Sequence, residues 1–193
     1  FDVEPGTNPG FLYQQNTMRD ALVAGINLNI FNKHCDRVKM ANIAQMVNVL
    51  QSVILTDGER MIKTPTWFVF YLYQAHQDAE LLDSTLETAM VGPEGHQAPN
   101  MTESVSMGKD GKMHITLTNE SVTEDYPIDV ILDSGKAVDV SGMILTGEMH
   151  EHNTFDNPDQ VKCTSFDDVK LTDDGLKLTL PKCSVLHLTV TVE

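Results

Sequence analysis

The pattern of apolar residues changes near residue 82, and this change constrains the fold more than any other feature. Over residues 12–33, apolar side chains recur at every third or fourth position, which predicts a helix with one buried face. Beyond residue 82, short apolar alternations are separated by turn residues, as in antiparallel strands. We therefore expect a helical segment over 1–82, followed by an all-β segment over 83–193.

The helical segment also contains one predicted strand. A short connection around Cys35 and Asp36 leads into an alternating run, which predicts a strand over 37–44. Thr64-Pro65 then supplies an N-cap and a first helical residue, so a second helix is expected over 65–78. Helix, strand and helix form one segment of a βα-repeat protein, whose other strands must come from a missing part of the chain.

The β segment contains two strong turn signals. Lys109-Asp110-Gly111 and Asp174-Gly175 each predict a hairpin. The predicted strands are 104–107, 112–118, 127–132, 137–147, 161–171, 175–180 and 184–192. Strands at this spacing, without helices between them, favour an antiparallel sandwich or jelly roll.

Charge and cysteine content limit the possible partners. Thirteen basic and 28 acidic side chains give a net charge of −15, which argues against nucleic acid and anionic membranes. No apolar run reaches the roughly 18 residues that a membrane span needs. The three cysteines, an odd number without a CxxC pair, favour a reducing compartment, so we expect a cytoplasmic protein.

Several polar or aromatic groups are weaker candidates for chemistry. His150-Glu151-His152 resembles a metal clip but lacks an evident third ligand, so a loop is favoured. The thiol of Cys35 needs a base held against it in space, which its neighbours in sequence do not provide. The acidic residues over 167–174 lack the spacing of a calcium loop. Trp67 could stack on a sugar ring, although core or interface packing is favoured. We expect neither a metal nor a cofactor.

Gln45 is the polar residue on which most of the functional interpretation depends. It lies at the carboxyl end of the predicted strand, where an α/β barrel presents hydrogen-bonding groups to a ligand. An amide both donates and accepts, which suits a pair of hydroxyls on a polyhydroxylated ligand. Asn42 and Asn48 are further candidates, although each is more often a structural hydrogen-bonding residue. The start of the chain, Phe1–Gly10, lacks an initiator Met and predicts a loop in the middle of a longer polypeptide.

Four long blocks cover nearly the whole chain in order. They are GTNPGFLYQQNTMRDALVAGINLNIFNKHCDRVKMANIAQMVNVLQSVILTDGERM, TPTWFVFYLYQAHQDAELL, LTGEMHEHNTFDNPDQV and LPKCSVLHLTV. Together they resemble the carboxyl-terminal part of α-L-arabinofuranosidases of glycoside hydrolase family fifty-one. The resemblance implies that residues 1–82 are the last helix, strand and helix of a (β/α)8 TIM barrel. It implies that residues 83–193 are an all-β antiparallel sandwich of jelly-roll type.

The resemblance also implies an activity and a division of roles. Such enzymes are retaining, exo-acting glycosidases that remove terminal α-L-arabinofuranosyl residues from arabinan, arabinoxylan and their oligosaccharides. Both catalytic glutamates are expected upstream of Phe1, so this chain alone should be inactive. In the family, the glutamine of the block Ala44-Gln45-Met46-Val47-Asn48 lines the pocket for the terminal arabinose. Gln45 is therefore the expected substrate-binding residue.

The expected partners follow from the same resemblance. They are an arabinofuranosyl oligosaccharide, the missing N-terminal part of the enzyme and further copies in a homo-oligomer. Two other roles remain for the β segment: a non-catalytic carbohydrate-binding module, or a structural and oligomerisation module. A binding module should expose a row of Trp or Tyr, and the β segment contains only Tyr126, which argues against the first of these.

Overall fold

The computed structural model describes residues 2–8 and 14–193. Helix α1 is Met18–Lys33, and helix α2 is Pro65–Tyr73, followed by a 3-10 turn over Gln74–His76. The strands are β1 Asp2–Val3, β2 Gln14–Gln15, β3 Ile54–Asp57, β4 Arg60–Lys63, β5 Glu80–Leu81, β6 Met90–Val91, β7 Ala98–Pro99, β8 Met101–Met107, β9 Met113–Asn119, β10 Tyr126–Ile131, β11 Ala137–Thr146, β12 Thr164–Phe166, β13 Val169–Leu171, β14 Gly175–Leu180 and β15 Ser184–Val192.

Two antiparallel sheets form the body of the structure from β5 onward, so the larger sheet begins just before the expected boundary at residue 82. The larger has six strands in the order β12-β11-β15-β9-β8-β5, and the smaller has three in the order β10-β14-β13. Alternate residues of the large sheet face the small one across an apolar core. The fully buried side chains of that core are Leu176, Leu180, Leu186, Leu188 and Val190.

The opposite face of the large sheet is covered by the two helices. A second core joins Met18 and Leu22 of α1 and Val69 of α2 to Leu145 and Val185 of the sheet. The fold is therefore mostly antiparallel sheet, with the large sheet enclosed on both faces. Burial on both faces explains why all seven residues of β9 are buried, although its sequence alternates between apolar and polar residues.

The first turn of α1 is fixed by two residues. Thr17 lies in an extended conformation before the helix, and its backbone N–H donates to the Asp20 carboxylate at 2.7 Å. The buried positions of α1 are spaced by three or four residues, which places them on the face that packs on the sheet. Gly25 lies on this face, where a Cβ would be 2.8 Å from the Thr118 methyl group. The close approach of α1 to β9 therefore requires glycine at this position.

Most of the predicted elements are confirmed. The hairpins around 109–111 and 174–175 form as β8–β9 and β13–β14. The predicted strand over 161–171 is divided into β12 and β13, and the second helix ends in a 3-10 turn before Asp78. The first helix starts at Met18 because Thr17 and Asp20 form its cap; residues 12 and 13 of the prediction lie outside the described residues.

The strand predicted over 37–44 is wrong. Residues 38–43 have no regular secondary structure. Among residues 2–8 and 14–193, no strand pairs with this segment, and the nearest strand-like pairing is an isolated parallel bridge between Val47 and Ile54. A strand exists only when a neighbour accepts and donates its backbone hydrogen bonds, so apolar alternation alone does not produce one.

Candidate functional site

Gln45 lies at the start of a loop that is closed by backbone hydrogen bonds. The Met46 carbonyl accepts from the backbone N–H groups of Val53 at 3.1 Å and Ile54 at 3.0 Å. In addition, the Asn48 backbone N–H donates to the Ile54 carbonyl at 3.1 Å. Gln45 therefore directly precedes a stretch of backbone that is held in place by hydrogen bonds.

Two residues of this loop have left-handed backbone conformations. Asn48 has φ 63° and Leu50 has φ 54°. Asparagine tolerates this region, whereas leucine adopts it at a cost of about 1 to 3 kcal/mol. The Asn48 side chain stabilises the loop, because its Oδ1 accepts from the Thr56 backbone N–H at 2.7 Å and its Nδ2 donates to the Thr56 hydroxyl at 2.8 Å. Asn48 thus has a structural role that the sequence left open.

The side chain of Gln45 remains available for a ligand. It is exposed, and it makes no hydrogen bond to the residues that the structure describes. Asn42, the other candidate amide, is also exposed and borders an apolar cavity of about 340 Å³ between α1, α2 and residues 41–43. Gln45 can donate through its Nε2 and accept through its Oε1, which allows it to form hydrogen bonds with two hydroxyls of one ligand.

The loop over 45–54 contains no Asp, Glu or His. Burial raises the pKa of Glu120, which follows β9 in the β segment. A backbone N–H from Lys112 lowers the pKa of Asp110 in the β8–β9 hairpin. Neither residue belongs to the Gln45 loop. The loop therefore presents amide groups, which donate and accept hydrogen bonds without titrating.

The weaker candidates have structural surroundings. His152 Nδ1 lies 3.1 Å from the His150 carbonyl, and no group of three potential metal ligands exists in the described parts of the chain. Cys35 is an exposed free thiol in the turn after α1. Trp67 stacks on Tyr71 with a centroid distance of 5.4 Å, and the Lys63 ammonium lies 3.8 Å from the Trp67 ring centroid. The Trp67 ring therefore packs against Tyr71 and Lys63.

A buried polar cluster between α1 and the large sheet was not found from the sequence. At its centre is Asn29, which is 1% exposed. Asn29 Oδ1 accepts from Tyr73 at 2.8 Å and from Thr116 at 2.8 Å, and Asn29 Nδ2 donates to Thr102 at 3.0 Å. The apolar period of α1 places position 29 on the buried face of the helix. A polar residue at such a position indicates a buried hydrogen-bonding partner, and this is the feature of the sequence that could have revealed the cluster.

Three histidines extend this cluster. His76 bonds Ser106 at 2.7 Å through Nδ1 and Thr116 at 3.0 Å through Nε2. His114 Nδ1 lies 3.1 Å from His187 Nε2 on the adjacent strand. Burial, and then the neighbouring histidines, lower the pKa of His76 to about 4, and the same causes lower the pKa of His187 to about 4. Both rings are therefore neutral near pH 7.

Fold and site together define a helix-covered β domain with the exposed amide of Gln45 in a loop that contains no Asp, Glu or His. The family model described as Alpha-L-arabinofuranosidase C-terminal domain matches residues 1–184, and the chain belongs to this family. The chain is 44% identical over 191 residues to the intracellular exo-alpha-L-arabinofuranosidase of Bacteroides ovatus. That alignment covers 97% of the chain but only 37% of the relative.

Solved structures show the same relationship. The GH51 arabinofuranosidase from Xanthomonas axonopodis pv. citri matches with a TM-score of 0.92 and 41% identity, over 99% of this chain and 39% of that one. The thermostable GH51 alpha-L-arabinofuranosidase from Thermotoga petrophila matches with a TM-score of 0.80 and 25% identity, over 98% of this chain and 41% of that one. The chain therefore spans well under half the length of these relatives. None of the helices in the described ranges has the length and apolar character needed to cross a membrane.

Proposed function

We propose that this chain is the carboxyl-terminal part of a retaining, exo-acting α-L-arabinofuranosidase. Its substrates are terminal α-L-arabinofuranosyl residues of arabinan, arabinoxylan and their oligosaccharides. The observation that carries the proposal is the similarity to the B. ovatus enzyme over almost the whole chain. The exposed amide of Gln45, held beside a closed loop, supports it independently.

The exposed apolar residues upstream of residue 82 support a place in a larger barrel. They lie on α1, on α2, on β4 and in the intervening loop: Val23, Ile30, Phe31, Met40, Met46, Val47, Val49, Met61 and Tyr71. So many exposed apolar side chains in one segment mark a surface that packs against protein. We assign residues 1–82 to the last part of a (β/α)8 barrel, packed against the N-terminal part of the same enzyme, and residues 83–193 to a jelly-roll-type sandwich.

Gln45 acts in binding, and the chemistry belongs to groups elsewhere. A retaining glycosidase needs two carboxyl groups about 5 to 5.5 Å apart, which we place upstream of Phe1. The Gln45 amide donates to one furanose hydroxyl and accepts from another, so it orients the terminal sugar. An amide does not titrate between pH 2 and 12, and its contribution is therefore independent of the protonation state of the catalytic pair.

The cellular location and the oligomeric state are also proposals. We place the enzyme in the cytoplasm, because the B. ovatus relative is named as intracellular and Cys35 is a free, exposed thiol. We also propose that the complete enzyme forms a homo-oligomer.

A direct test of the proposed function compares the 193-residue chain with the complete protein that contains it. The complete protein should hydrolyse 4-nitrophenyl α-L-arabinofuranoside, and the 193-residue chain should not. Release of 4-nitrophenol by the purified chain would show that catalytic carboxylates lie within these residues. An inactive complete protein would contradict the proposed activity.

Substitution of Gln45 tests its role in binding. In the complete enzyme, Gln45→Ala should lower kcat/KM for this substrate about tenfold or more, since a hydrogen bond to a sugar hydroxyl contributes about 1 to 3 kcal/mol. Gln97→Ala, in an exposed turn of the β segment, is the matched control and should behave as wild type. Equal kinetics for both variants would make Gln45 a structural residue.

A further inference from the structure

The connection between β11 and β12, residues 147–163, belongs to the β segment but bonds to the helical segment. The backbone N–H of Met18, the first residue of α1, donates to the Glu151 carbonyl at 2.8 Å. The backbone N–H of Arg19 donates to the Met149 carbonyl at 3.0 Å. The first N–H groups of a helix have no acceptor within the helix, so this connection supplies acceptors to the start of α1.

Asn153 attaches the same connection to the end of the β3–β4 hairpin. Its Nδ2 donates to the Lys63 carbonyl at 2.9 Å and to the Val161 carbonyl at 2.8 Å. Its Oδ1 accepts from the Val161 backbone N–H at 2.7 Å. Both donor hydrogens of the amide are therefore used, and the residue is only 4% exposed. A buried amide bonded in this way holds the Lys63 carbonyl at a fixed distance from the β segment.

A series of hydrogen bonds leads from Lys63, the last residue of β4, to Gln45. The next residue, Thr64, donates its backbone N–H to the Val53 carbonyl at 3.0 Å. Val53 in turn donates its backbone N–H to the Met46 carbonyl at 3.1 Å, and Met46 directly follows Gln45. Each step in this series is either a hydrogen bond or a peptide bond between neighbours. The position of the Lys63 carbonyl therefore affects the position of Gln45.

The loop over 45–54 depends on such support. Leu50 has a φ of 54°, a left-handed conformation that leucine rarely adopts. Such a conformation persists only where the surrounding structure fixes it. Val47 and Val49 are exposed in this chain, whereas Ser52 and Val53 are buried. The loop is thus held at the end that bonds to Thr64.

We propose that Asn153 is a positioning residue for Gln45. By holding the Lys63 carbonyl, Asn153 sets where the loop over 45–54 lies, and therefore where the Gln45 amide meets the sugar. A displacement of about 1 Å in a group that orients a substrate can lower the rate by about 100-fold, so a residue away from the substrate can have a large effect. The inference rests on the proposed arabinofuranosidase function, and it gives the β segment a part in substrate binding.

The test is a double-mutant cycle in the complete enzyme, with kcat/KM measured on 4-nitrophenyl α-L-arabinofuranoside. Asn153→Ala should lower kcat/KM about fivefold or more when Gln45 is present. In the Gln45→Ala background the same substitution should lower it less than about twofold, because the group that Asn153 positions is already absent. A residue that supports the fold in general would cause the same loss in both backgrounds.

Asn157→Ala is the matched control. Asn157 is an exposed asparagine of the same connection, and its side-chain amide donates to Gln160, also within that connection. Asn157→Ala should leave kcat/KM unchanged in both backgrounds.

If Asn153→Ala does not fold, Thr64→Val is measured through the same cycle. It keeps the side-chain shape and removes the hydroxyl that bonds the Ser52 and Val53 carbonyls at 2.9 and 3.3 Å. The Thr64 side chain makes no cap bond to α2, so the helix start should be preserved. The loss should again depend on the presence of Gln45.

The outcomes separate this inference from the proposed function. If the measured variant causes an equal loss in both backgrounds, or no loss in either, Asn153 is not a positioning residue and the proposed function stands. A wild-type enzyme without activity on this substrate would overturn the proposed function and this inference with it.

Discussion

Replacing Asn29 by alanine should lower the free energy of unfolding by about 3 kcal/mol or more. The amide of Asn29 bonds Tyr73, Thr102 and Thr116 in the layer between α1 and the large sheet. Tyr73 is 6% exposed and Thr116 is fully buried, so neither hydroxyl can turn to bulk water after the substitution. The effect comes from losing several buried hydrogen bonds at once, while Tyr73 keeps the Gly25 carbonyl as its acceptor at 3.0 Å and Thr116 keeps His76 as its partner.

The measurement is equilibrium unfolding of the 193-residue chain in urea, followed by circular dichroism. Asn27→Ala is the matched control on the same helix, because the exposed Asn27 side chain bonds only the Val23 carbonyl at 2.8 Å. It should change the free energy of unfolding by less than about 0.5 kcal/mol. If Asn29→Ala lowers the free energy of unfolding by less than about 1 kcal/mol, water molecules replace the hydrogen bonds of the Asn29 side chain.

Stability should also fall as the pH is lowered from about 6.5 towards 4. The pKa values of His76 and His187 are lowered from 6.5 to about 4 in the folded chain. Between these values the unfolded chain binds protons that the folded chain excludes, so protonation favours unfolding. The contribution is constant above 6.5 and amounts to roughly 2 kcal/mol per histidine between pH 7 and 5. Ser106, Thr116 and His114 face these two rings.

Thermal unfolding between pH 7 and pH 5 provides the measurement. The slope of Tm against pH should be clearly reduced in His187→Gln, which removes one of the two titrating rings. His96 is exposed in the turn between β6 and β7, so His96→Gln should keep the wild-type slope. A wild-type Tm that is flat from pH 7 to 5 would mean that these histidines accept protons in the folded state.

The sequence predicted the order of the helices and strands better than it predicted what packs against each of them. In β9, Met113, Ile115 and Leu117 alternate with polar residues such as His114 and Thr116. This alternation predicts a strand with one solvent-exposed face, and the strand forms as expected. Its polar residues are nevertheless buried, because α1 lies on that face. The period of a strand shows which residues share a face, but it does not show what covers that face.

The segment before Gln45 is the opposite case, because its pattern predicts a strand that the structure does not form. The alternation over 37–44 is present, but a strand needs a partner, and the described residues provide none. Gln45 itself was selected at the end of the predicted strand and by resemblance to a family, and its role remains a proposal.

The most direct test is a crystal structure of the complete enzyme with bound arabinose. We expect the Gln45 amide to lie about 3 Å from a sugar hydroxyl. We also expect the two carboxyl groups flanking the anomeric carbon to come from residues outside this chain. A structure in which the sugar binds away from Gln45, or in which a carboxylate of residues 1–193 contacts the anomeric carbon, would contradict the proposed role of this chain.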